Sequence, residues 1–131
     1  MARVLVVDVI DKKDVHEAEC NELTDFYKEL HCDCFDIVTK KIGNKYYDVF
    51  VDDNGLFVDK PIPSMLVRPL FGSTLEPSLV GNLIFANHDK EGATTSLSDE
   101  DVALIKKNII GIKSPEDKEF YPVVVCQPDF D

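Results

Sequence analysis

Three side chains suited to metal or redox chemistry stand close together in this sequence. His31, Cys32 and Cys34 lie within four positions, and thiolate and imidazole groups are common zinc ligands. Structural zinc sites usually have two ligand pairs spaced Cys-x₂₋₄-Cys, whereas the only close pair here is Cys-x-Cys, and Cys20 and Cys126 are isolated. We predict four reduced, metal-free thiols that pack as small apolar groups. A metal site or redox chemistry at the Cys-x-Cys pair is the alternative.

Two other places carry residues typical of acid–base catalysis. Asp8 ends an apolar stretch, where α/β enzymes often have a catalytic acid, and His88 is followed by Asp89. No nucleophile is marked near either place, and the chain has no GxGxxG, GxxxxGK[ST], GxSxG or HExxH motif. We therefore expect a protein without enzymatic activity and without a cofactor.

The sequence Asp52-Asp53-Asn54-Gly55 has the acidic start of a calcium-binding loop. An EF-hand loop needs oxygen ligands at alternate positions and a closing glutamate, and Leu56-Phe57-Val58 supply none. Asn and Gly tolerate a positive φ, which short hairpin turns require. We predict a hairpin turn here, and hence an antiparallel pair of strands.

Charge is the most unusual property of the chain. Its 14 Lys+Arg and 25 Asp+Glu give a net charge of −11 over 131 residues, which would repel a phosphate backbone and argues against direct nucleic-acid binding. The excess is −6 in residues 1–60 and −5 in residues 61–131. Two acidic groups lie on predicted helices and are the candidate binding residues: Glu22, Asp25, Glu29, Asp99, Glu100 and Asp101.

Hydrophobic periodicity predicts the elements that carry these residues. The predicted strands are Val4–Ile10, Val15–Cys20, Cys34–Thr39, Lys45–Val51, Leu79–Ala86 and Tyr121–Cys126. Several prolines predict a packed loop over Lys60–Pro77. The predicted helices are Glu22–Leu30, capped by Asn21, and Asp99–Ile110, capped by Ser98 and ended by Gly111. Strands in excess of helices predict a single α+β domain with a mainly antiparallel sheet.

The order of several motifs resembles a known family. Asp52-Asp53-Asn54-Gly55-Leu56, then Pro61 and Pro63, then Leu79-Val80-Gly81-Asn82, then Ser96-Leu97-Ser98-Asp99-Glu100 occur in the order found in domain-of-unknown-function family 3846. Its members are small proteins of phages and conjugative elements. The similarity covers roughly residues 3–110, and Ser64 stands where the family pattern has Asn. The resemblance implies an accessory protein of a mobile element, and it implies no chemical activity.

These observations lead to two functional hypotheses. The first is a non-catalytic protein that binds a host protein, such as a nucleic-acid-handling restriction or CRISPR effector, by presenting acids where that protein expects phosphate. The second is a small ligand-binding domain or enzyme with the segment Pro61–Pro77 as a pocket wall. We expect residues 1–112 to form the family-like domain and residues 113–131 an extension packed on it.

Two further expectations concern location. The apolar run Val4–Val7 is shorter than the ~7–15 residues that a signal peptide needs. No apolar run approaches the ~18 residues of a membrane span. We therefore expect a cytoplasmic protein that does not bind membranes.

Overall fold

The larger of two β-sheets is built around aliphatic strands that are buried on both faces. The computed structural model of the protein describes residues 2–10, 12–32, 34–52, 62–67, 76–113 and 119–127. In the described residues this sheet has the strands β1 (Ala2–Val7), β2 (Val15–Cys20), β3 (Phe35–Ile42), β4 (Lys45–Asp52), β7 (Leu83–His88) and the short β8 (Thr94–Thr95). Their order is β2-β1-β7-β4-β3, with β8 beside β7, and every pair is antiparallel.

The second sheet has four described strands, β5 (Pro63–Val67), β6 (Glu76–Val80), β9 (Ile109–Lys113) and β10 (Phe120–Cys126). Their order is β6-β5-β10-β9. The β5–β10 pair is parallel and the other two pairs are antiparallel. The structure is therefore mainly antiparallel β with two helices, as the sequence predicts for an α+β protein.

Alternate side chains of the first sheet enter two separate cores. Val4 and Val6 of β1 pack with Phe26 and Leu30 of helix α1 (Leu23–Leu30). On the opposite face, Leu5 and Val7 belong to a larger core that includes β5, β10 and helix α2 (Asp99–Lys107). The first sheet is thus the middle layer, with α1 on one side and the second sheet and α2 on the other.

The β3–β4 hairpin closes with a two-residue turn at Gly43-Asn44. Ile42 pairs with Lys45, and Gly43 has φ +63°, a conformation that glycine adopts without the steric penalty of a Cβ. The predicted turn at Asp53–Gly55 lies outside the described residues.

Two predicted elements are each divided in two by the structure. The predicted strand Leu79–Ala86 is wrong as a single strand, because Gly81 takes φ +76° and donates its N–H to Ile62 O at 2.9 Å, which ends β6 before β7 begins. The predicted helix Asp99–Ile110 ends at Lys107 and is followed by β9. Gly111 therefore lies within a strand and is not a helix stop.

Two other predictions also differ from the structure. β1 ends at Val7 and not at Ile10, because Asp8 turns the chain: its carboxylate accepts the Ile10 N–H at 3.0 Å. The Lys60–Pro77 segment is not wholly a loop, since it contains β5 and the start of β6. The prolines are compatible with both strands, because Pro63 is the first residue of β5 and Pro77 lies in the edge strand β6.

The C-terminal strand is confirmed and lies inside the second sheet. β10 pairs with β5 on one side and β9 on the other, and Val124 and Cys126 belong to the larger core. The division at residue 112 and the single-domain interpretation stay predictions.

Gly43 and Gly92 form a matched pair for testing the tight hairpin. Both have positive φ, but a Cβ at Gly43 would lie 2.8 Å from Leu104 Cδ1, whereas a Cβ at Gly92 would meet no atom within 4 Å. We expect Gly92→Ala to lower the free energy of unfolding by about 1–2 kcal/mol through backbone strain alone. Gly43→Ala should lower the free energy of unfolding by more than Gly92→Ala does, as measured by urea unfolding. Equal losses of free energy in the two variants would contradict the close packing of the hairpin on α2.

Candidate functional site

The acidic residues predicted on α1 are held differently from one another. The Asp25 carboxylate accepts the backbone N–H groups of Asn21, at 2.9 Å, and Glu22, at 3.1 Å. These bonds, that of Asn21 first, lower the pKa of Asp25. The capping residue of the helix is Glu22, so the prediction of Asn21 as the cap is wrong. Asp25 therefore fixes the start of α1, while Glu22 is exposed to solvent.

Glu29 is joined to β2 through a histidine. The His16 ring contacts Glu29 through Nε2 at 3.2 Å and Asp14 through Nδ1 at 2.8 Å. Burial opposes the charged imidazolium, but the two carboxylates outweigh burial and raise the pKa of His16 above its usual value. His16 thus ties the acidic side of α1 to the edge strand of the first sheet.

This arrangement predicts a pH-dependent contribution to stability. Because the pKa of His16 is raised on folding, its stabilising effect is complete below the unfolded pKa of about 6.5 and is lost as pH rises through the higher folded value. We expect His16→Gln to destabilise by up to about 1 kcal/mol at pH 5.5, as for partly exposed ion pairs. The loss should shrink toward pH 8.5 in urea titrations, and a pH-independent difference would contradict the ion-pair role.

The acidic residues at the start of α2 also separate into buried and exposed groups. The Ser98 Oγ accepts the Asp101 N–H at 3.1 Å, and the Asp101 carboxylate accepts the Ser98 N–H at 2.9 Å. This confirms the predicted Ser98 cap. Asp99 is highly exposed and pairs with Arg3 at 2.6 Å, and Glu100 is exposed. Asp101, in contrast, is only 4% exposed.

Asp101 is the centre of a polar network that joins α2 to the first sheet. Besides Ser98, its carboxylate accepts hydrogen bonds from Lys45 Nζ at 2.5 Å, Tyr47 Oη at 2.9 Å and Asn87 Nδ2 at 2.8 Å. Burial alone would raise the pKa of Asp101, but these donors, Lys45 first, lower it well below its usual range. Burial and the neighbouring Asp101 charge raise the pKa of Tyr47. The buried carboxylate of Asp101 thus has its hydrogen bonds formed, and the role of the network is to hold α2 on the sheet.

Neutralising this carboxylate tests that role. We expect Asp101→Asn to lower the free energy of unfolding by about 2 kcal/mol at pH 7, the usual scale for hydrogen bonds to a buried charged group. Because folding lowers the pKa of Asp101, its ionised carboxylate stabilises the protein fully above the unfolded pKa of about 3.9. The difference in free energy of unfolding between wild type and Asp101→Asn should therefore narrow as pH falls below that value. Asp99→Asn, on the same helical turn, is the control and should change stability little. Equal losses in both variants would contradict the assignment.

The two predicted acidic groups lie on opposite sides of the first sheet. The α1 group borders the smaller core and the α2 group borders the larger one. Between them, Arg3 on β1 binds both Glu17 and Asp99. The structure thus brings residues together within each group, with β2 at the rim between the groups. The binding role of the six residues stays a prediction, and Asp101 lies inside the protein.

The acids of β2 belong to this region, although they are not among the predicted binding residues. Glu17 and Glu19 are both exposed and alternate with residues that face α1. The signal was available, because alternating glutamates on a strand with one wet face place both carboxylates on the solvent side. We call Glu17, Glu19, Glu22, Glu29 and Asp99 the acidic rim.

Asn82 is a buried polar residue that the sequence did not mark as structural. Its Oδ1 accepts the Val9 N–H at 2.8 Å, and its Nδ2 donates to Glu29 O at 2.9 Å. It therefore ties the end of β1 to the end of α1, and it lies directly after the turn at Gly81. In the sequence, only the pair Gly81-Asn82 indicated that Asn82 has a structural role.

A cleft of about 430 Å³ opens beside the start of α1. Its lining includes Ala2, Cys20 and Phe26, with Asn21 and Glu22 as polar members. Burial raises the pKa of the Cys20 thiol to about 11, and the charges of Asp25 and Glu29 add to the effect. A protonated, buried thiol is a poor nucleophile, so the cleft has no activated reactive group at Cys20.

The other candidates for acid–base chemistry have structural surroundings. His88 pairs with Asp48 across neighbouring strands, with Nδ1 and Oδ2 3.0 Å apart, and Asp89 instead accepts backbone N–H groups of its own loop. Asp8 is 2% exposed and accepts the Ile10 and Lys12 N–H groups. These contacts hold His88 to the neighbouring strand and Asp8 in the turn that follows β1.

The four cysteines are in the thiol form, without a disulfide. Cys20 and Cys126 are buried, Cys32 is intermediate and Cys34 is exposed before the start of β3. Within the part of the chain that the structure describes, no group of three or more His, Cys, Asp or Glu side chains has a metal-binding arrangement. The metal-free state stays a prediction, as does a pocket wall at Pro61–Pro77, much of which lies outside the described residues.

The chain belongs to the family described as Domain of unknown function (DUF3846), whose model matches residues 2–110. This confirms the family suggested by the sequence motifs. No curated protein matches the chain, and no solved structure does. Neither of the two helices in the described residues is long and apolar enough to cross a membrane.

Proposed function

We propose that this protein acts without catalysis, by binding a basic protein partner through the acidic rim. One observation carries the proposal: residues 14–29, which form β2, α1 and the segments beside them, contain six acids and one lysine. By contrast, residues 102–113 contain three lysines and no acid. The sequence-wide charge excess is even between the two halves of the chain, but the folded elements concentrate it locally.

The acids of the rim differ from a mobile, solvated charge run in how they are held. Glu17 is bound to Arg3, and Glu29 to His16, so two of the carboxylates have fixed neighbours on folded elements. Hydrogen bonding to Arg3 lowers the pKa of Glu17, which therefore stays ionised in mildly acidic solution. A preformed array of carboxylates loses less conformational entropy on binding than flexible side chains would.

The mechanism that follows is electrostatic competition. A cleft that normally holds nucleic-acid phosphates attracts an array of carboxylates, and the long-range field speeds association, most strongly at low salt. We therefore place the partner among host proteins that handle nucleic acid, such as restriction or CRISPR effectors. In this proposal the protein is a cytoplasmic product of a phage or other mobile element, as its family resemblance implies.

Pull-down from a bacterial lysate at low and high salt tests this proposal. We expect the wild-type protein to retain basic, nucleic-acid-binding proteins at low salt and to lose them as salt rises. The variant Glu19→Lys should retain less of them at low salt, because it reverses an exposed charge of the acidic rim. Asp36→Lys is the control, because it makes the same change in net charge at an exposed position of the other edge strand, β3, away from the rim.

Two results would contradict the mechanism. The first is that no basic partner is recovered at low salt. The second is that the rim and control variants lose the partner equally, which would mean that net charge and not the rim determines binding.

A further inference from the structure

The outer edge of the second sheet is built differently from the other sheet edges. β2 has His16, Glu17 and Glu19 among its six residues, and β6 contains a glutamate and a proline. β3 contains Asp36 and two lysines, and its Lys41 O accepts the Gln127 N–H at 2.8 Å. Charges, prolines and covering contacts are the usual means by which proteins block edge-to-edge pairing of strands.

β9 has almost none of this protection. Its sequence is Ile109-Ile110-Gly111-Ile112-Lys113, with a single charge at the last position. Ile110 is 41% exposed and Ile112 is 38% exposed. Among the described residues, no strand pairs with β9 on the side away from β10, so within that part of the chain β9 is an open edge that could pair with another strand.

The neighbouring strand β10 adds to the exposed apolar surface. Phe120 is 64% exposed, and its ring lies beside Gly111, where a Cβ would be 3.6 Å from Phe120 Cδ1. The cross-strand partner of Gly111 is Pro122. An aromatic ring beside a strand glycine is a known way to compensate for the missing side chain.

We propose that β9 pairs antiparallel with β9 of a second copy of this chain, with Gly111 on the two-fold axis. In this register Ile110 of each copy lies opposite Ile112 of the other copy, and Lys113 of each copy lies opposite Ile109 of the other. The two Lys113 residues are four positions apart along the pair, about 13 Å, which exceeds the Debye length of about 8 Å at physiological salt. The register thus pairs apolar side chains and separates like charges.

The occupant follows from this self-complementarity. A symmetric interface must match its own surface, and a five-residue strand with an apolar centre and a terminal charge does so in antiparallel orientation. Of the three lysines in residues 102–113, only Lys113 lies in β9, and this register keeps its two copies apart. The two four-stranded sheets would become one continuous sheet.

Sedimentation velocity of the full chain from micromolar to submillimolar concentration tests the proposal. At physiological salt the mass should rise from 14.8 kDa toward twice that value and no further, because the interface is closed. Each copy has a net charge of −11, so added salt should strengthen association by screening the repulsion. This is opposite to the salt response of the acidic rim, so the two proposals can fail separately.

Two lysine substitutions form a matched pair. Ile110→Lys should weaken association on the order of tenfold or more, since it places a charge in the strand pair. Ile37→Lys changes an isoleucine of 48% exposure on the edge strand β3 and should associate as the wild type does. Hydrogen exchange of the wild type locates the interface independently, because the amides of β9 should become more protected as concentration rises.

A wild type that stays at 14.8 kDa through the highest concentration would overturn the proposal. So would equal weakening by both substitutions, a mass that grows beyond two copies, or protection that is confined to another strand. Binding of a foreign strand to β9 in place of a second copy would appear as a monomer at all concentrations, and it would also count against the proposal.

Discussion

The burial of both faces of the first sheet determines the rest of the structure. Val4 to Val7 are all fully buried, and so are the four consecutive residues Leu83 to Ala86 of the neighbouring β7. Strands without a polar face need an apolar layer on each side, because burying these side chains provides most of the driving force for folding. Helix α1 supplies one layer, and the second sheet with α2 supplies the other.

This layering also decides where charge can be placed. The outer surfaces of α1, β2 and the start of α2 carry the acids, whereas Asp101 is drawn inside because it joins α2 to β4 and β7. A buried carboxylate is stable only when its hydrogen bonds are satisfied, and Asp101 has donors from four residues. One of three consecutive acids therefore supports the fold, and the other two face solvent.

Local signals were sufficient to predict β2, the Ser98 cap of α2 and the terminal strand. They failed where tertiary contacts decide the outcome. The apolar run Leu79–Ala86 gives no sign that Gly81 pairs with Ile62 and changes the chain to another sheet. The α2 pattern continues smoothly into Ile109 and Ile110, which become a strand only because β10 is present to pair with them. Likewise, a run of three acids does not reveal that Lys45 and Tyr47 will surround the third.

The central functional claim is that the acidic rim acts as one electrostatic surface, and chemical-shift mapping tests it most directly. A short oligolysine peptide would be titrated into isotope-labelled protein at low salt, with backbone amide shifts as the readout. The shifts should be concentrated in β2, the first turn of α1 and the first turn of α2, and added salt should remove them. Shifts spread evenly over the exposed acids of the chain, or centred on Asp36 and Asp89, would contradict it.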